Sequence, residues 1–168
     1  GSVISGSLNV DQEVYLLPGI NKSLRVRRLE RHGKILEKVE AGDRAAINLT
    51  GLNRNDFVRG MILSDRMLGS TSLIDAELRL FKQSPTFKLW QRVIFHTGTY
   101  ESQARVHLID KDRLNGGDNG VVRIHLERPS VLSHEDRFII RNTSSDVTLG
   151  GGRIIDVAPL HHRRRTEK

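Results

Sequence analysis

The stretch Gly1–Leu63 reads GSVISGSLNVDQEVYLLPGINKSLRVRRLERHGKILEKVEAGDRAAINLTGLNRNDFVRGMIL, and it decides the fold. Short runs of β-prone residues alternate in it with turn signals, and no apolar repeat of helical period runs through it. Glu13–Leu17 and Leu24–Arg31 read as strands. In the second, the apolar set passes from Leu24 and Val26 to Leu29, an odd step that places a β-bulge near Arg27 and Arg28. His32-Gly33-Lys34 reads as a turn, and Ala41–Leu49 (AGDRAAINL) as a further strand. A short polar loop follows, with one helical turn expected over Asn53–Val58 under an Asn53 cap, and then Arg59-Gly60.

Outward from that stretch the same period of two continues. Ile74, Ala76, Leu78 and Leu80 alternate with Asp75, Glu77 and Arg79. Ala104, Val106 and Leu108 alternate with Arg105 and His107; Val122, Ile124 and Leu126 alternate with Arg123, His125 and Glu127. Each pattern turns one apolar face to a core and one charged face to water, as half-buried antiparallel strands require. Asn115–Gly120 (NGGDNG) reads as a tight turn between two of them. Small, flexible residues in Arg66–Ser72 separate two strand-rich halves. The expected organisation is all-β: one small antiparallel barrel over 1–66, a linker at 67–73, a second barrel over 74–158, and a basic tail at 159–168.

Composition narrows the function. No apolar run approaches the ~18 residues of a membrane span, and no basic start followed by an apolar stretch marks a secretory signal. The chain has no cysteine, which excludes disulfides and thiolate metal sites and fits the cytoplasm. Its net charge of +7 attracts polyanions, nucleic acid being the commonest. Aromatic residues make up only 5%, so a stacking platform for single strands is disfavoured and backbone contact by Arg and Lys is expected instead. No metal site is expected: His107 and His125 are at best two ligands, and two rarely hold a metal. No catalytic triad has the required spacing, and no G-x-x-x-x-G-K-[ST] loop is present to cradle a nucleotide phosphate. Gly150-Gly151-Gly152 reads as a bulge or close-packing site.

The order Ser5–Val14 (SGSLNVDQEV), Pro18–Leu29 (PGINKSLRVRRL) and Ala41–Leu49 resembles the second domain of translational GTPases. Phe95–Ile109 (FHTGTYESQARVHLI) and Thr148–Asp156 (TLGGGRIID) are similar to the third domain of the bacterial selenocysteine-specific elongation factors. The resemblance implies two consecutive barrels, the first lacking its N-terminal strand and so exposing an edge. It implies selenocysteinyl-tRNA and the ribosome as partners, with a selenoprotein mRNA hairpin bound by C-terminal domains absent here. GTP and Mg belong by resemblance to a G domain that this chain lacks, so no cofactor and no catalysis are expected of the chain itself.

Arg44 carries the sharpest expectation. Ala45, Ile47 and Leu49 share one face of its strand, and Arg44, Ala46 and Asn48 the other, so that Arg44 points away from a core. A plain surface arginine fits that placement as well as a ligand contact does. By resemblance, Arg44 matches the arginine beside the selenocysteinyl group. A selenol is anionic at neutral pH, and a guanidinium gives it a charge-assisted hydrogen bond of ~1.5–3 kcal/mol that a seryl hydroxyl does not receive. Arg25, Arg27, Arg28, Arg31 and Lys34 on one hairpin, with Arg105 and Arg123 in the second half, are candidates for RNA backbone contact. The two barrels of a general factor of the elongation factor Tu type, or a basic protein-interaction module, are the alternatives.

Overall fold

Alternation of buried and exposed side chains runs through most of the long strands of the protein, the run that ends in Phe95 being an exception. The computed structural model describes residues 1–19 and 23–160, so the basic tail from His161 onward lies outside the described residues. The chain divides after Leu68 into two units.

The first unit contains β1 (Ser7–Asn9), β2 (Glu13–Leu17), β3 (Ser23–Arg31), β4 (Lys34–Leu36), β5 (Lys38–Glu40), β6 (Ala46–Thr50) and β7 (Ile62–Ser64), with a 3-10 turn at Arg54–Asp56. Strand β3 organises it. Its start pairs with β2 (Val14↔Leu24), its end with β4 (Leu29↔Leu36), and its other edge with β6. Along β6 the register runs Val26↔Leu49 and then Arg28↔Asn48, so a bulge sits where the odd apolar step placed it. Strand β7 extends the sheet beyond β2, and β1 with β5 forms a separate two-stranded sheet. Val14, Leu16, Leu24, Val26, Leu29, Val39 and Ala45 make the buried core. The sheets of this unit do not close on themselves among the described residues.

Two local expectations change here. Ala41–Asp43 is a turn, not strand: Gly42 takes φ 96°, and the Asp43 N–H donates to the Glu40 carbonyl at 3.0 Å. The helical turn after β6 shrinks to three residues, with the Asp56 carboxylate accepting from the Asn53 N–H at 3.0 Å.

The second unit is a closed barrel of six antiparallel strands, in the order β10-β11-β8-β13-β12-β9. They are β8 (Thr71–Leu80), β9 (Trp90–Thr97), β10 (Tyr100–Leu108), β11 (Asn119–Ser130), β12 (Arg137–Arg141) and β13 (Thr148–Asp156). Ile74, Ala76, Leu78, Val106, Val122, Ile124, Phe138 and Ile154 point inward with Phe87 and Phe95, all at most 3% exposed. Each such side chain of Val, Leu, Ile or Phe contributes about 1.5–3 kcal/mol by leaving water, and closure leaves no open edge. Gly98 and Thr99 form the two-residue turn joining β9 to β10, with Gly98 at φ 54°. Strand β8 begins at Thr71, inside the stretch read as linker.

The NGGDNG segment is not a tight hairpin. The chain leaves β10 at Leu108 and rejoins the sheet only at Asn119, and Leu114 and Phe87 pair as an isolated bridge on the way. Asn115–Asp118 closes locally, because the Asp118 carboxylate accepts from the Asn115 N–H at 3.1 Å. Burial of Leu114 holds this long connection down, and local turn chemistry does not reveal it.

Candidate nucleic-acid interface

Arg44 precedes β6 and is tied into the fold through its backbone, as an antiparallel bridge to Ser2. Its neighbour Ala45 is 4% exposed in the core, while Arg44 itself is exposed. Among the described residues the Arg44 side chain has no hydrogen bond or ion pair. Asp43, directly before it, is engaged elsewhere: its carboxylate accepts from the Arg31 guanidinium and, at 2.9 Å, from the Glu40 N–H. The Glu40 amide and the Arg31 charge hold the Asp43 carboxyl below its ordinary range.

The hairpin cations divide. Arg31 pairs with Asp43, Arg28 with Glu30 at 3.0 Å, and Arg25 stands 4.0 Å from Asp11. Arg27 and Lys34 are exposed and have no side-chain partner among the described residues. Charge free to meet phosphate in this hairpin is therefore smaller than its five cationic residues suggest.

Arg123, the other candidate for RNA backbone contact in the second half, is engaged within the fold. It faces its register partner Asp75 across β11 and β8, and the two bond bidentately at 2.7 and 2.9 Å. Their side chains are 11% and 17% exposed. The Asp75 hydrogen bonds raise the Arg123 pKa, and the guanidinium is committed to the barrel wall rather than open to a phosphate.

Arg105 has the opposite surroundings. Its register partner on β9 is Arg92, and its partner on β11 is His125. Arg141 on β12 is the register partner of Ile94, whose same-face neighbour along β9 is Arg92. Arg92, Arg105 and Arg141 have no side-chain hydrogen bond or ion pair among the described residues, and the Arg141 Nε is buried without a partner. Like charges directly opposed across strands repel, so an anion laid over this face relieves an unfavourable contact. Beside them Trp90, 51% exposed, stacks on His107 with ring centroids 4.5 Å apart, and His125 lies 5.2 Å from it. His107 and His125 do not face each other: His107 pairs with Arg123, and His125 with Arg105.

Sequence reading misses Arg92, Arg141 and Trp90. Arg92 and Trp90 lie in a run, Trp90–Thr97, whose three consecutive buried residues Val93, Ile94 and Phe95 mask the period of two. The signal that finds them is register, which places Arg92 beside Arg105. Among the described residues no group of three His, Asp or Glu side chains is placed to hold a metal ion, and no helix is long and apolar enough to cross a membrane.

Residues 73–161 match the family model of the selenocysteine-specific elongation factor β-barrel domain. The chain belongs to the selenocysteine-specific elongation factor family. Residues 1–64 of this family member also match elongation factor Tu domain 2. It is similar to the selenocysteine-specific elongation factor of Desulfomicrobium baculatum, at 34% identity over 99% of the chain and 26% of that protein. Against that of Escherichia coli K12 the identity is 28%, over 98% of the chain and 25% of that protein. The family member described here thus spans about a quarter of the length of these relatives.

Proposed function

We propose that this chain is the tRNA-holding part of a cytoplasmic, GTP-dependent elongation factor that delivers selenocysteinyl-tRNA to the ribosome at recoded UGA codons. The observation that carries the reading is Arg44, exposed and without a side-chain partner among the described residues, at the position the family resemblance assigns to the aminoacyl pocket. Anchored at its backbone and open at its guanidinium, it suits an anionic selenolate and gives a neutral seryl group no equivalent bond. The opposed Arg92 and Arg105, with Arg141 nearby, suit the sugar-phosphate backbone of the same RNA, a contact that positions without reading sequence. GTP and Mg do not fit the residues present, which include no phosphate-binding loop, and are assigned to a separate nucleotide-binding domain of the longer factor. The mRNA hairpin is likewise assigned to domains outside this chain.

The test is Arg44→Ala in the full-length factor. Competition between selenocysteinyl- and seryl-tRNA is expected to lose roughly ten- to a hundredfold of its preference, the equivalent of one charge-assisted hydrogen bond, while GTP affinity stays unchanged. An unaltered preference overturns the assignment of Arg44.

A further inference from the structure

Trp90 is the one tryptophan of the chain, and it opens β9 with 51% of its surface exposed. Its ring is held in place all the same. His107, its register partner on β10, lies against it with centroids 4.5 Å apart and planes 20° from parallel. His125 meets it at 5.2 Å and 49°. No second ring lies parallel to the indole among the described residues, so one π-face is backed while half of the residue stays in water. Arg92 follows on the same face of the strand, ~7 Å further along it, and Arg105 stands opposite Arg92. That step is on the order of the span from a nucleotide's base to its phosphate. A positioned aromatic face therefore sits one nucleotide's reach from two exposed guanidiniums that no acid answers among the described residues. With aromatic residues at only 5% of the chain, a platform for successive bases is not built here, but a single indole suffices for a single base.

We propose that Trp90, backed by His107, is a stacking subsite for one unpaired base of an RNA whose backbone phosphates lie on Arg92 and Arg105. The inference rests on the RNA-holding reading of this barrel face and adds a preference to it. Bases inside a duplex are stacked on each other and offer the indole no π-face, so paired RNA uses the arginines alone. A bulged nucleotide uses both. Stacking tolerates any base, and the preference is therefore for the unpaired state rather than for a sequence. A nucleotide joins a π-face and an anion in one unit, which is the combination this wall presents. An acidic peptide supplies the anion without the ring.

Because no other tryptophan is present, the emission of this chain reads the site directly. The probes are a short RNA hairpin with one bulged adenosine, the same hairpin with an abasic residue at the bulge, the fully paired hairpin, and a poly-glutamate peptide. The bulged adenosine is expected to quench Trp90 and to bind about five- to a hundredfold more tightly than the abasic or paired hairpin, the worth of one base–aromatic stack. By anisotropy of labelled RNA, Trp90→Ala removes that advantage and Trp90→Phe keeps part of it, while affinity for the paired hairpin changes by less than about twofold. Arg92→Ala with Arg105→Ala weakens all three hairpins alike. Should Trp90→Ala melt early, quenching in the wild type and the abasic comparison read the same site without a substitution. Equal affinity for the three hairpins with unchanged emission overturns the stacking subsite and leaves the RNA-holding reading standing. Failure of every hairpin to bind overturns both. Quenching by poly-glutamate as strong as by the bulged RNA also overturns the subsite, because the face then takes any polyanion.

Discussion

At Arg123 two neighbouring strands are joined by a single ion pair whose partners are only 11% and 17% exposed. Removing one partner of such a pair leaves the other charge poorly solvated, at a cost of 3–5 kcal/mol in fully buried cases; the remaining access to water reduces this to roughly 2–3 kcal/mol. Arg123→Ala is therefore expected to lower the melting temperature of the second unit by about 10 °C, read by calorimetry. Replacing both Arg123 and Asp75 with leucine costs less than Arg123→Ala, because no orphaned carboxylate remains. Arg153 provides the contrast. It bonds Glu77 at 2.9 Å and Glu135 at 3.1 Å, but its side chain is 49% exposed. Arg153→Ala is expected to change stability by less than about 1 kcal/mol. If the two arginine variants melt alike, burial is not what gives the Arg123–Asp75 pair its weight.

Among the elements, β13 shows most directly how sequence limits architecture. A Cβ at Gly150 would collide with the Arg79 carbonyl, one at Gly151 with the Phe138 carbonyl, and one at Gly152 with the Glu77 carbonyl. All three obstacles are backbone of the flanking strands β8 and β12, which cannot yield without opening the barrel. Gly152→Ala is expected to destabilise the second unit by about 3 kcal/mol or more, at the upper end of overpacking. Gly69→Ala, where no atom lies within 4 Å, is the matched control and melts like wild type. A Gly152→Ala protein of unchanged melting temperature excludes the close strand approach. Strand content of this kind is legible in sequence because each strand has one dry and one wet face, and Ile74 through Leu80 announces both. The β3 bulge is legible for the same reason, since one extra residue shifts the apolar parity. Partners are not legible. Arg105 and Arg123 occupy identical contexts, each a cation between apolar residues on an alternating strand. Register alone, set by the barrel order, places one opposite Arg92 and the other opposite Asp75. The aminoacyl-pocket candidate is legible from its motif and alternation, whereas the cationic face is not, because it exists only after β9 and β10 pair.

For the molecule as a whole, the surplus of +7 has meaning only where acids do not already answer it. Arg28, Arg31, Arg123 and Arg153 are paired with acids within the fold, and Arg92, Arg105 and Arg141 have no acid partner among the described residues. A cation that contacts phosphate displaces a condensed counterion, and the logarithm of affinity then falls with the logarithm of salt by roughly 0.9 per contact on a duplex. If the face around Arg105 meets RNA backbone, tRNA affinity must drop steeply between about 50 and 200 mM salt. The double variant Arg92→Ala, Arg105→Ala should flatten that slope by roughly 1–2 units. Arg153→Ala removes the same kind of charge, but from a guanidinium already held by two carboxylates, and should leave the slope where it was. The comparison separates local contact from overall charge, because each substitution lowers the net charge while only the first removes unanswered cations. Equal flattening per charge removed, two in the double variant and one in Arg153→Ala, would mean that the chain attracts RNA through its mean field. A slope near zero in the wild type would favour the basic protein-interaction module over an RNA-holding role for the barrel face.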